Sequence, residues 1–221
     1  MKNKRDIIAG SFLFEGISSS QLTELSKISV VKTVRRGETV FFEGDDAVGF
    51  YMVVEGQVKI FKISLEGREQ TLHIFGPGEP FGEVPVFHGR PFPAHAAALS
   101  KGKLLFFPRT EFIGLVHTNP SIALNMLAML SMRLRRFTTQ IEHLSLKEVP
   151  GRLASHLLYL CKEQKGADQV TLDIPKGQLA SLLGTSPETL SRIFAKMREE
   201  GIIQVQGKVI TLLDRERLQA F

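Results

Sequence analysis

Up to about Arg109 the chain carries a strand rhythm. Thr39–Phe42, Phe50–Glu55, Gln57–Ile63 and Thr71–Phe75 are rich in β-branched and aromatic residues, and several alternate apolar with polar positions. Gly44, Gly56, Gly67 and Gly78 punctuate them at intervals of 12, 11 and 11 residues. Short strands at regular spacing with glycine turns predict a sandwich or barrel-like β-roll. Before it, Ser18–Ile28 (SSSQLTELSKI) reads as a short capped helix.

From about Asn119 to Val149 the period becomes helical. Leu127, Leu130, Leu134, Phe137, Ile141 and Leu144 follow at spacings of 3, 4, 3, 4 and 3, with Arg133, Arg135, Arg136 and Glu142 off that line. An amphipathic helix packed on its own domain gives such a stripe. A narrow 3.5-residue period on a long helix after a β domain favours a partner helix, and an identical chain is the simplest partner. Glu148-Val149-Pro150-Gly151-Arg152 is predicted to break this helix and act as a hinge, because proline disfavours helical geometry in the residue before it. Beyond it come a helix at Leu153–Lys162, a strand at Val170–Ile174, and two β-rich runs within Gly201–Thr211 joined at Gln206-Gly207.

Between these lies LASLLGTSPETLSRIFAKM, Leu179–Met197, which reads as helix, tight turn, helix. Ala180 lets the helices approach, Gly184 supplies a left-handed turn, and Leu190 and Ile193 close the small core. Ser186 is placed to cap the second helix, with Pro187 where a missing N–H costs nothing. Glu188, Thr189, Ser191 and Arg192 then stand at the exposed N-terminal end that meets base edges in helix-turn-helix proteins. The hairpin that follows would be a wing beside that helix.

Bulk properties narrow the picture modestly. A chain of 221 residues with 43% hydrophobic content can bury a core in two modest domains. The net charge of +5 favours an anionic partner without naming one. Cys161 is the one cysteine, so an internal disulfide, an all-cysteine zinc site and a four-cysteine iron–sulfur cluster are excluded. The N-terminal MKNKRDIIAGSFLFEG makes a poor signal peptide and no apolar run is long enough for a membrane span, so a cytoplasmic protein is expected.

The order of β-roll, long helix, hinge and winged helix-turn-helix resembles the CRP/FNR superfamily of bacterial transcription regulators. The likeness is carried by Gly37–Gly44 (GETVFFEG), Tyr51–Gly56 (YMVVEG), Gly78–Glu83 (GEPFGE) and Leu179–Arg192 with the wing. It implies an α+β chain: an N-terminal cyclic-nucleotide-binding-like β-roll (a double-stranded β-helix) over 1–117, a dimerisation helix over 118–149, and a winged helix-turn-helix over 150–221. Glu188-Thr189-Leu190-Ser191-Arg192 matches the Glu-x-x-Ser-Arg pattern of the fumarate-nitrate regulator type. Arg192 can fork onto a guanine, Glu188 can accept from a cytosine amino group, and Ser191 can meet a base or phosphate. With Ser186, Thr189 and Lys196 these are the expected DNA-contacting residues. An ordinary surface ion pair between Glu188 and Arg192 is the rival reading. Pro187 stands where the cyclic-AMP receptor has a base-reading arginine, which favours TTGAT-like over TGTGA-like half-sites. The implied partners are double-stranded DNA with a two-fold symmetric site, a second copy of the chain, RNA polymerase and a small effector.

For the effector, the resemblance points to Gly82, Glu83, Val84, Arg90, Pro93, Ala94, His95, Phe137 and Thr138. Phe81-Gly82-Glu83 matches the start of the cassette that holds cyclic nucleotides, where Glu83 would accept from a ribose hydroxyl. The family's phosphate-clamping Arg-Ser pair falls instead on Pro93-Ala94, which offer neither charge nor donor. Arg90 is a substitute only if the loop rearranges. An effector other than cyclic AMP is therefore expected. Gly82–Leu99 also looks like regulators of nitrosative or anaerobic respiration, some of which bind haem, with His73, His95, Met126, Met129 and Met132 as candidate ligands. Histidines and methionines of this kind more often serve as core or surface residues. A cyclic-nucleotide-responsive regulator, a constitutive DNA binder and a ligand-binding regulatory subunit without DNA binding remain alternatives. An enzyme is not expected, since no nucleophile–base pattern, metal cluster or P-loop is visible.

Overall fold

The computed structural model describes residues 4–164 and 168–221, apart from the side chain of His88. It divides into two compact units, 1–134 and 135–221. No single helix among the described residues is long and apolar enough to cross a membrane.

The first unit opens with helices α1 (Lys4–Ala9) and α2 (Ser19–Ile28), separated by a 3-10 turn at Phe12–Phe14. Ser18 caps α2 in a reciprocal box with Gln21, as SSSQ foretold. Lys4, not singled out by any pattern, donates its Nζ to the carbonyls of Ser26 and Ser29, both at 2.7 Å, closing the other end of that helix. Eight strands follow: β1 (Val30–Val34), β2 (Thr39–Phe41), β3 (Gly49–Glu55), β4 (Val58–Ile63), β5 (Glu69–Phe75), β6 (Pro80–Phe81), β7 (His95–Ala98) and β8 (Gly102–Pro108). They form two four-stranded sheets, ordered β1-β8-β3-β6 and β2-β7-β4-β5, with antiparallel pairing throughout. The predicted glycine turns sit between strands, and Gly44, Gly56, Gly67 and Gly78 all have φ of 78° to 88°, which a β-carbon would strain.

Strand β3 shows why its sequence, GFYMVVE, hardly alternates. Tyr51 and Val53 point between the sheets into a core with Phe41, Val58, Phe75, Phe81, Phe92 and Leu104. Phe50 and Met52 point the other way, into a second core with Leu25, Phe107, Phe112 and Ile122. A strand covered on both faces reads as a near-continuous apolar run. The outer cover comes from α1, α2, α4 (Arg109–Thr118) and the start of α5 (Pro120–Leu146). A short helix α3 (Val84–His88) lies between β6 and β7.

Helix α5 runs through the division at Leu134/Arg135. Ile122, Met126 and Met129 are buried on the β-roll side. Four seam residues lie on open surface instead: Leu127 is 60% exposed, Leu134 68%, Phe137 42% and Ile141 64%, while Leu130 and Leu144 are half-buried.

In the second unit the break is shorter than expected. Only Lys147 and Glu148 separate α5 from α6 (Val149–Glu163). Pro150, read as a helix breaker, lies in the first turn of α6, where proline's missing N–H is harmless. Strand β9 (Gln169–Thr171) is shorter than the predicted Val170–Ile174. Helices α7 (Lys176–Leu182) and α8 (Pro187–Glu199) form the helix-turn-helix. Strands β10 (Ile203–Gln206) and β11 (Val209–Leu212) form the wing, ordered β10-β11-β9, and α9 (Arg215–Gln219) follows. The core gathers Leu153, Leu157, Leu179, Leu190, Phe194 and Ile210, among others. Ile193 is half-buried and packs against this core beside the fully buried Leu190, as expected, and Phe194 and Met197 join them.

Candidate nucleic-acid interface and effector cassette

Helix α8 is built as two faces. Leu190, Phe194 and Met197, spaced by four and three, are buried, while Glu188, Ser191, Arg192 and Lys196 are exposed on the other side. Its start is fixed by the turn. Gly184 adopts φ 64°, and Ser186 Oγ accepts the backbone N–H of Thr189 at 3.2 Å. Pro187 has no N–H to satisfy, and the N–H of Glu188 meets its own carboxylate, so the first turn of α8 is closed by its own residues.

The exposed side chains are arranged locally. The Ser186 hydroxyl also meets Thr189 Oγ1 at 3.1 Å, and Ser191 Oγ donates to the carbonyl of Pro187 at 2.8 Å. Arg192 Nη2 donates to Thr189 Oγ1 at 3.3 Å. That bond, and not the surface ion pair weighed above, is the contact the guanidinium makes among the described residues. Glu188 has its pKa lowered, first by its own backbone N–H, then by the Ser186 hydroxyl and the charge of Arg192, so it is an acceptor at neutral pH. Lys196 stands 3.9 Å from Glu200 and is 75% exposed.

The cassette departs more from expectation. Glu83 is buried, and its carboxylate takes a hydrogen-bonded ion pair from Arg133 of α5. Arg133 also donates to the carbonyl of Pro80 and lies 4.9 Å from the centre of the Phe75 ring. The residue expected to accept from a ribose thus has one carboxylate oxygen taken by Arg133, an arginine that helical periodicity placed only off the apolar line. Gly82 has φ 72°, and a β-carbon there would come within 3.1 Å of Phe41 and 3.2 Å of Phe92. Those two rings stack face to face at 3.7 Å, filling the space beside the glycine turn. Ala94 is buried; Val84, Arg90 and Pro93 are exposed. The Pro93 carbonyl accepts from Lys62 Nζ at 3.1 Å. Phe137 and Thr138 belong to the second unit and are exposed there.

His95 does not fit an axial haem ligand as it stands. Its Nδ1 accepts the N–H of Glu43 at 3.1 Å, which puts the ring hydrogen on Nε2, facing the Glu43 carboxylate at 3.7 Å. Neither nitrogen then offers a lone pair. The His73 ring abuts Phe75 edge-on at 4.5 Å, Met126 and Met129 are core residues, and Met132 is exposed. A cleft of about 330 Å³ opens by Lys32, Glu38, Tyr51 and Leu104, and none of its lining residues belongs to the cassette.

The residue that pattern reasoning missed is an arginine. Arg133 acts over fifty residues of sequence, and nothing in local period or composition marks it.

A β-roll of this topology, a long helix with one open apolar face and a winged helix-turn-helix together define a DNA-binding regulator with a sensory domain. Comparison with known proteins bears this out. Residues 31–119 match the model of the cyclic nucleotide-binding domain, and 151–221 that of the Crp-like helix-turn-helix domain. The chain is 32% identical over 217 residues to a CRP-like cAMP-activated global transcriptional regulator of Mycobacterium tuberculosis, covering 96% of this chain and 97% of the relative. It is similar to the structure of FixK2 from Bradyrhizobium japonicum (25% identity, TM-score 0.76, 87% and 96% of the two chains). It is also similar to that of DNR from Pseudomonas aeruginosa (34% identity, TM-score 0.53, 100% and 98%). The chain belongs to the CRP/FNR superfamily of transcription regulators, and its relatives are not enzymes.

Proposed function

We propose that the protein is a cytoplasmic, homodimeric regulator that reads a two-fold symmetric DNA site with TTGA-type half-sites and works with RNA polymerase. Segment 1–117 senses, 118–149 dimerises and 150–221 binds DNA. The observation that carries the reading is the exposed face of α8, where Glu188, Ser191 and Arg192 project from a capped helix start beside a wing. The open stripe of Leu127, Leu134, Phe137 and Ile141 on α5 supports pairing with a second copy. Two α8 helices about 34–36 Å apart would meet successive turns of one groove.

The effector is a small ligand other than a cyclic nucleotide. Pro93-Ala94 supply no phosphate clamp, and the Phe41–Phe92 stack occupies the space beside Gly82. The relative described as cAMP-activated supports the alternative of a cyclic-nucleotide response.

The test is binding to a duplex with two inverted TTGAT half-sites, measured against salt. A steep salt slope and a preference over random duplex are expected, and Arg192→Ala should remove the preference while keeping the salt-sensitive part. Equal affinity of wild type for both duplexes refutes sequence reading. Stronger binding on adding micromolar cyclic AMP would establish the alternative effector, and a Soret band after expression in a haem-supplied host, lost in His95→Ala, would overturn the exclusion of His95.

A further inference from the structure

Arg152, in the first turn of α6, reaches two helix ends at once. Its Nε donates to the carbonyl of Lys147 at 3.0 Å and its Nη2 to that of Leu144 at 3.2 Å, at the C-terminal end of α5. Its Nη1 donates to the carbonyl of Leu183 at 2.9 Å, with that of Gly184 at 3.5 Å, in the turn between α7 and α8. The last carbonyls of a helix have no partner within it and carry the negative end of its dipole. One planar, permanently charged fork, donating from three separate nitrogens, therefore satisfies carbonyls at both ends together.

The place of this link matters. Only two residues separate α5 from α6, and Gly184 leads through Thr185 directly into Ser186, the cap of α8. Besides Arg152, Lys147 Nζ donates to Ser155 Oγ at 2.6 Å, a bond that holds α6 to the break but does not touch the turn.

We infer that Arg152 is a positioning residue: it fixes the direction in which α8 leaves the end of α5, and so sets the spacing at which two recognition helices meet DNA. This rests on the dimeric DNA-reading function proposed above. Arg152 touches no DNA itself; it acts through the turn that starts α8.

The experiment uses the full chain, wild type, Arg152→Lys and Arg152→Gln, with three duplexes. One carries two inverted TTGAT half-sites with centres one helical turn apart, one has a base pair inserted between them, and one has a single half-site. Thermal unfolding of each variant is followed alongside. Both variants should bind the two-fold site about tenfold more weakly, as loss of hydrogen bonds from a charged group to the α7–α8 turn implies. Half-site affinity should stay within about twofold, and the preference for the original spacing over the inserted one should shrink. A variant that keeps the wild-type spacing preference overturns the inference, as does a parallel loss on the half-site, which would mark general damage to the fold. A wild-type chain with no preference for the two-fold site removes the dimeric reading and this inference with it.

Discussion

Replacing Arg133 by methionine keeps the apolar stem of the side chain and removes the charged guanidinium at its end. The side chain of Glu83 is 3% exposed and that of Arg133 17%, so the pair is largely withdrawn from water. Removing one member of such a pair leaves the other charge buried without compensation, a loss of about 3–5 kcal/mol. The residual exposure of Arg133 places the expected loss near the lower bound, about 3 kcal/mol. The bond to Pro80 and the contact with the Phe75 ring vanish in the same change. The chain has two tyrosines and no tryptophan, with Tyr51 inside the β-roll and Tyr159 exposed on α6. Urea unfolding in a Tyr159→Phe background, followed by tyrosine fluorescence, therefore reports on the β-roll. Arg133→Met should lower its stability by about 3 kcal/mol, and adding Glu83→Gln should restore part of the loss, because the stranded charge is gone. A single variant within about 1 kcal/mol of wild type would refute the reasoning. So would a double variant no more stable than the single one.

Other expectations can be checked as directly. Gly184→Ala forces a β-carbon into a left-handed turn at φ 64°, so the C-terminal unit should lose about 1–2 kcal/mol in thermal or urea unfolding, and DNA affinity should fall with it. His156 has its pKa lowered by burial from 6.5 to about 4, so the folded state holds its ring neutral while the unfolded chain protonates first. Its contribution is complete above pH 6.5 and is lost as the pH falls toward 4, by at most about 3 kcal/mol. His143, lowered by burial and then by Lys147, acts in the same sense, and a His156→Gln chain should show a flatter stability profile by urea unfolding at pH 7 and pH 5. Leu134→Glu with Ile141→Glu should yield monomers in sedimentation equilibrium at micromolar concentration without lowering the melting temperature of the isolated fold; an intact dimer would argue against the α5 seam.

The sequence was most readable where chemistry is local. The spaced glycines mark turns that need positive φ, Ser18 and Ser186 mark helix starts, and Leu190 marks the inner face of α8; each needs only its immediate neighbours to be interpreted. Pro150 shows a limit of local reading, since proline stops a helix or begins one according to which side the helix lies on. Strand β7, His95-Ala-Ala-Ala, has little intrinsic β-preference; it is a strand because β2 and β4 pair with it on both sides. Arg133 and Glu83 are fifty residues apart, and a helical period built on apolar residues is blind to a cation that turns inward to meet a carboxylate. The capped, two-faced helix α8 was thus legible, while the pairing inside the cassette was not, because it depends on which distant side chains fill it.

The long helix α5 can be viewed mechanically. Met126, Met129 and Arg133 hold one flank, the last as an ionic peg in the Glu83 socket, while Leu127 and Leu134 ride on another flank. A turn of about 100° moves the helix by one residue position, so even a fraction of that would draw the peg from its socket. The helix is a keyed shaft and not a free axle. Rolling it requires that the key be withdrawn first.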